Sequence, residues 1–177
     1  MGIEALRRAQ AELDEEFRSE IVQGKLIVSP SGTGMHNLIG RRLGSALAVH
    51  GLVPLLDTSM AFPNLDSEPR PDVTLVPAGA DLDVVPVPGD LAELMAEITS
   101  PSTRKQDLAT GDKYEIYAKG RVPLYLLVDR TQRHAVLYLD PDPAAGMYRS
   151  VVGPVPFGHP LRIPAPFDLT LDTGILG

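Results

Sequence analysis

An α/β fold, with a central mixed β-sheet flanked by helices, is what the sequence predicts, and three observations carry that reading. Segments of helical period alternate with short strand-like runs in the order αββαβββαβββ. Two of the runs, Leu94–Thr99 and Leu124–Val128, are apolar enough to be buried on both faces and bracket a helical segment. That is the layout of a parallel β–α–β crossover, which should be right-handed. The chain has 177 residues, of which 44% are hydrophobic and 22% charged, the size and composition of one globular domain with a real core. A single domain is therefore expected over residues 1–177.

Each element has its own local reason. Leu6, Ala9, Leu13 and Phe17 recur at helical spacing and predict an amphipathic helix over about residues 3–17. Glu20 to Val28 reads as two β-segments about a Gln23-Gly24 turn, with a loop from Ser29 to Gly34. A second helix should run from about Met35 to His50, with Leu38, Ile39, Arg42, Leu43, Ala46, Leu47 and Val49 supplying its apolar stripe and Gly51 ending it. Strands are expected at Leu52–Phe62, Val73–Val76 and Leu94–Thr99, and the acidic, Pro-rich stretch Pro77–Asp90 as a surface loop. Ser102 or Thr103 can cap a helix over Arg104–Lys119, which Gly111 weakens by ~1 kcal/mol and Gly120 stops. Val122–Asp129 reads as a buried strand, with Ala135–Leu139 and Met147–Val152 as antiparallel followers. Prolines 154, 156, 160, 164 and 166 predict that the tail, about residues 153–177, runs extended over the surface.

Composition removes several kinds of chemistry. Without Cys there are no disulfides, thiolate nucleophiles or Cys-ligated metals. The four His, at 36, 50, 134 and 159, lack zinc-like spacing, and Ser100 and Ser102 have no evident base partner. The longest stretch without a formal charge, Leu26 to Gly40, falls short of the ~20 apolar residues a spanning helix needs. The acidic start of the chain is unlike a signal peptide, so a cytoplasmic protein with no membrane partner is expected. The net charge of −7 repels polyanions overall, so any nucleic-acid partner must be held at a local site.

The charge is unevenly spread. Between Asp57 and Glu97 nine acids face Arg70 alone, and between Arg104 and Arg133 seven bases face four acids. An acidic segment followed by a basic one suits a metal site acting on a phosphate, and solvated loops produce the same pattern. Asp72 introduces one strand and Glu97 lies near the end of another, so their carboxylates can meet at neighbouring strand ends. Two such acids in a cleft call for a cation between them, and oxygen ligands suit Mg²⁺ or Mn²⁺. Alternatively, Asp72 caps a turn after Pro71 and Glu97 pairs with a core Arg or Lys. Lys113 shares a helix face with Ala109, Ile116 and Tyr117 and points toward the core, where it can either snorkel outward or place an ammonium beside the acids. Lys105 is the competing, more solvated lysine.

Taken together, these residues carry a resemblance. Glu20 near a hairpin with Ile-Val-Gln-Gly-Lys-Leu, His36 at a helix start, Arg70-Pro-Asp72-Val, Glu97-Ile-Thr-Ser-Pro-Ser-Thr, Asp107, Lys113-Tyr-Glu-Ile-Tyr117 and Gly120-Arg-Val-Pro-Leu-Tyr-Leu-Leu-Val-Asp129 form a linked set. The set resembles the bacterial putative restriction endonuclease family of the PD-(D/E)XK nuclease-like superfamily, over roughly residues 15–140. The resemblance implies a restriction-endonuclease-like core and a Mg²⁺- or Mn²⁺-dependent endonuclease acting on DNA, leaving a 5′-phosphate and a 3′-hydroxyl. It also implies a homodimer or higher homo-oligomer. Asp72 matches the first acid of the superfamily motif and Glu97 the second. The Ile98 carbonyl would be a further metal ligand, and Glu20 matches an acid contributed from the preceding hairpin. Thr99 departs from the pattern, standing where the superfamily usually has a lysine, and Lys113 matches a helix lysine that can supply the amine instead. His36 can touch substrate, support a metal ligand, or satisfy a local hydrogen bond. A rival reading is a catalytically inactive nuclease-like fold serving as a nucleic-acid-binding or protein-interaction module, and Thr99 and the net charge favour it.

Overall fold

The computed structural model describes residues 2–13, 16–49, 51–100 and 104–177. In chain order the elements are α1 (Ile3–Ala11), β1 (Phe17–Val22), β2 (Lys25–Pro30), α2 (Gly34–Leu47), β3 (Leu52–Leu56), β4 (Met60–Ala61), β5 (Val73–Pro77), β6 (Val87–Pro88) and β7 (Leu94–Ile98). Then follow α3 (Arg104–Asp107), α4 (Asp112–Lys119), β8 (Leu124–Asp129), β9 (His134–Asp142), β10 (Met147–Pro156), β11 (Pro160–Ile163) and β12 (Leu169–Asp172).

Six strands form the central sheet in the order β10-β9-β8-β7-β5-β3. Only β7 and β8 pair in parallel, as the crossover between them requires, and the other neighbours are antiparallel. Side chains alternate across the sheet. Leu94, Ala96, Ile98, Leu126 and Val128 pack with Ile39, Leu43 and Leu47 of α2 on one face. Met95, Tyr125 and Leu127 pack with Ile116 and Tyr117 of α4 on the other. The same alternation turns Glu97 toward α4, which decides the shape of the site.

The hairpin falls where expected. Gln23 and Gly24 both adopt positive φ, the conformation of a two-residue type I′ turn between paired Val22 and Lys25. Among the described residues no helix is long and apolar enough to cross a membrane.

Four expectations are corrected. The first helix ends at Ala11, not Phe17, because Phe17 enters β1 opposite Pro30 and Glu12, at the C-cap, opposes the dipole at a helix C-terminus. The run Leu52–Phe62 is two strands separated by a turn at Asp57, which has φ 47°. The helix expected over Arg104–Lys119 is broken between Asp107 and Asp112, where Gly111 starts the second segment in an extended conformation. Its proposed caps, Ser102 and Thr103, lie outside the described residues. The C-terminal stretch is no surface tail. β11 and β12 form a hairpin whose Leu161, Ile163 and Leu171 are buried in the main core together with Phe167 and Leu176. Its prolines stand at the start of β11 and in the turn after it, and Pro154 and Pro156 lie on the edge strand β10, where a missing donor is tolerated.

Candidate active site

The site begins with strand register. β5 and β7 pair Val73 with Ala96, and one step further puts Asp72 across from Glu97 at the same sheet edge. The Ile98 N–H donates to Asp72 Oδ2 at 2.7 Å, fixing that carboxylate to the neighbouring strand. Asp72 Oδ1 meets the Arg18 guanidinium at 2.8 Å and His36 Nε2 at 2.9 Å. Thr33 places His36 there by capping α2 through an acceptor bond from the His36 N–H.

Lys113 is fully buried, so it does not snorkel. Its Nζ lies 3.1 Å from Glu20 Oε1, 3.1 Å from Glu97 Oε1 and 3.6 Å from Asp107 Oδ1. The break in the helix makes this possible, because Asp107 on α3 and Lys113 on α4 both turn inward; Ala109, in the break, is exposed. Tyr117, one turn after Lys113, donates to Glu97 Oε1 at 2.5 Å, and Glu20 Oε2 accepts the Arg70 N–H at 3.0 Å. Lys113 and Tyr117, the partners of Glu97 among the described residues, thus come from one helix face. Lys105 is exposed.

The two motif acids sit in opposite electrostatic states. Burial alone would raise Asp72, but the His36 hydrogen bond and the charges of Arg18 and Lys113 overturn that and hold it at about 2. Burial pushes Glu97 well above the usual carboxylate range; Lys113 opposes the shift, while Asp107, Asp72 and Glu20 add to it. Burial would lower Lys113 and Arg18, yet the surrounding carboxylates raise both, so both stay charged.

Glu20, Asp72, Glu97 and Asp107 gather around Lys113 and Arg18. A set of carboxylate oxygens fits Mg²⁺ or Mn²⁺ in ligand type. Among the described residues no three His, Asp or Glu side chains are gathered as a ready-made cation cage. The cation that Glu20, Glu97 and Asp107 now share is the Lys113 ammonium.

Six of the residues singled out from the sequence meet here. Glu20, Asp72, Glu97, Ile98 and Lys113 converge, and His36 joins them through Asp72. Thr99 turns elsewhere, accepting from the Arg130 N–H at 3.1 Å at the end of β8. Asp107 and Tyr117 belong to the linked set without an assigned role, and Arg18 and Asp57 have none in the sequence pattern. Arg18 had a signal, since it stands two residues before Glu20 on the same strand face. Arg18, His36, Asn37, Arg41, Asp57 and Asp72 line a cavity of about 330 Å³ that opens onto the Asp72 side of the site.

A mixed sheet carrying opposed acids at one end of neighbouring strands, with a lysine from the crossover helix beside the second acid, is the arrangement of a nuclease fold. The chain belongs to the Uma2 family, described as putative restriction endonuclease, whose family model matches residues 3–174. The fold is similar to the crystal structure of a putative nuclease belonging to DUF820 from Anabaena variabilis, with a TM-score of 0.72 and 17% identity over 97% of this chain and 96% of that one. No curated protein matches the chain.

Proposed function

We propose that the chain is a Mg²⁺- or Mn²⁺-dependent endonuclease that hydrolyses DNA phosphodiester bonds. The observation that carries this reading is the pairing of Asp72 and Glu97 across β5 and β7 with the Lys113 ammonium 3.1 Å from Glu97. A divalent ion held by Asp72, Glu97 and the Ile98 carbonyl would supply Lewis acidity, activating a water and polarising a phosphoryl oxygen. Arg18, His36 and the Ile98 N–H keep Asp72 ionised and oriented as a ligand. Tyr117 holds the Glu97 rotamer. Lys113, with its charge maintained by three acids, stabilises negative charge building on the phosphate or positions the attacking water, in place of the lysine that Thr99 lacks.

Incubating supercoiled plasmid with the protein and Mn²⁺ tests the proposal. Nicking should occur and should fall by about 10²–10³-fold in Asp72→Asn and Glu97→Gln, the usual loss when a preorganised electrostatic group is removed. Equal nicking by all three proteins would reject it. DNA binding without cleavage under any divalent ion would instead favour a binding module on a nuclease fold, the reading that Thr99 supports.

A further inference from the structure

Asp57 holds a position that the proposed hydrolysis does not use. Its carboxylate bridges two guanidinium groups, with Oδ1 3.0 Å from Arg18 Nε and Oδ2 2.8 Å from Arg70 Nη2. Arg70 Nη2 also donates to the Asp57 carbonyl at 3.1 Å. The Asp57 side chain is 51% exposed, whereas those of Arg18 and Arg70 are 12% and 29% exposed, so the acid is the outer member of the cluster. It stands between two cavities, of about 330 and 400 Å³, and lines both.

One oxygen on each of two guanidiniums is also how a phosphodiester presents itself to a pair of arginines. Arg18 would stay in place if Asp57 left, because its Nη1 is tied to Asp72 and its Nη2 donates to the Arg70 carbonyl. A phosphate captured there would lie beside Asp72. Arg41, exposed on α2, lines the first cavity together with Arg18 and Asp57 and makes no ion pair with the described residues.

We propose that Arg18 and Arg70, with Arg41 at the rim, form a subsite for a nucleic-acid backbone phosphate, and that Asp57 occupies it in the free protein as an internal stand-in for that phosphate. Binding then requires exchange of one anion for another, so Asp57 sets the affinity for the DNA backbone. The identity of the anion rests on the nuclease reading above, while the exchange itself does not require cleavage.

Asp57→Asn is the informative change. Asp57 has φ 47°, a left-handed conformation that Asn tolerates as well as Asp, so the turn is kept while the charge is removed. Binding of a short fluorescein-labelled DNA duplex is measured by anisotropy in EDTA at a series of low salt concentrations, with thermal melting as the check on folding. Asp57→Asn should bind about three- to tenfold more tightly than wild type, with a log–log salt slope steeper by about one phosphate contact. Arg41→Ala should bind more weakly than wild type. Unchanged or weaker binding by Asp57→Asn overturns the proposal, and so does the absence of binding by both proteins. Tighter binding by the variant with no nicking by wild type under Mn²⁺ would leave the subsite standing and remove the nuclease reading. Nicking by wild type with unaltered affinity in the variant would do the reverse.

Discussion

Glu97 and Asp72 make opposite contributions to stability as pH changes. The Asp72 carboxyl drops from 3.8 to about 2 on folding, so its contribution is complete above pH 3.8 and is lost as pH falls through 2. Glu97 is raised, so its contribution is complete below its unfolded value of 4.5 and is lost as pH rises through the folded one. Without divalent ions, Glu97→Gln should therefore melt above wild type at pH 7–8, with the two curves converging toward pH 4.5. For a domain of this size each kcal/mol of relief raises Tm by roughly 2–4 °C, which scanning fluorimetry resolves. A lower Tm for the variant at pH 8 would mean that the carboxylate gains more from Lys113 and Tyr117 than it loses to burial. Much of this cluster was readable in the sequence, because a Glu inside an apolar strand and a Lys on the core face of a helix are both anomalies that burial must resolve. Arg18 and Asp57 were not, since each is an ordinary polar residue until chain segments far apart in sequence bring it to a partner.

Among the elements, α4 packs at its C-terminal end against the Phe62 ring. Gly89 and Gly120 sit against the Phe62 ring so closely that a Cβ at either would come within 2.5 Å or 2.3 Å of a ring carbon. Phe62 in turn lies 6.2 Å from the Tyr117 ring, centroid to centroid, so displacing it would disturb the residue that orients Glu97. Gly120→Ala should cost about 1–3 kcal/mol by overpacking, measurable by urea denaturation, and should reduce nicking more than a surface Ala substitution of equal stability cost. An unchanged urea midpoint would show that the ring yields freely. Periodicity found the strands of the central sheet and α2 well, because their apolar faces repeat at fixed spacing. It joined α3 to α4, because Gly111 is tolerated inside a helix as often as it ends one. Only the need to turn both Asp107 and Lys113 inward distinguishes the two outcomes.

For the whole molecule, the local excess of acid looks different once the fold is known. Asp57, Asp72 and Glu97 from the acidic stretch are matched in space by Arg18, Arg70 and Lys113, so the site is a lattice of opposed charges and no bare acidic cleft. Leu161, Ile163, Phe167, Leu171 and Leu176 are at most 2% exposed. At about 1.5–3 kcal/mol each, their burial is comparable to the entire stability of a domain. A variant ending at Phe157 should therefore show no cooperative transition by circular dichroism. A sharp melt within a few degrees of wild type would show that the sheet and α2 suffice alone. The prolines hid this hairpin from a residue-by-residue reading, although Leu161, Ile163, Leu169 and Leu171 alternate between them as strand residues do. The packing of α2 against the turn at Thr173–Leu176 has a consequence in time. Core residues such as Leu43 and Leu176 must meet across most of the chain, so closing that contact is entropically expensive and the topology has high contact order. Refolding should be slow for a domain of this length, and until that closure the exposed strand edges are open to pairing with other chains.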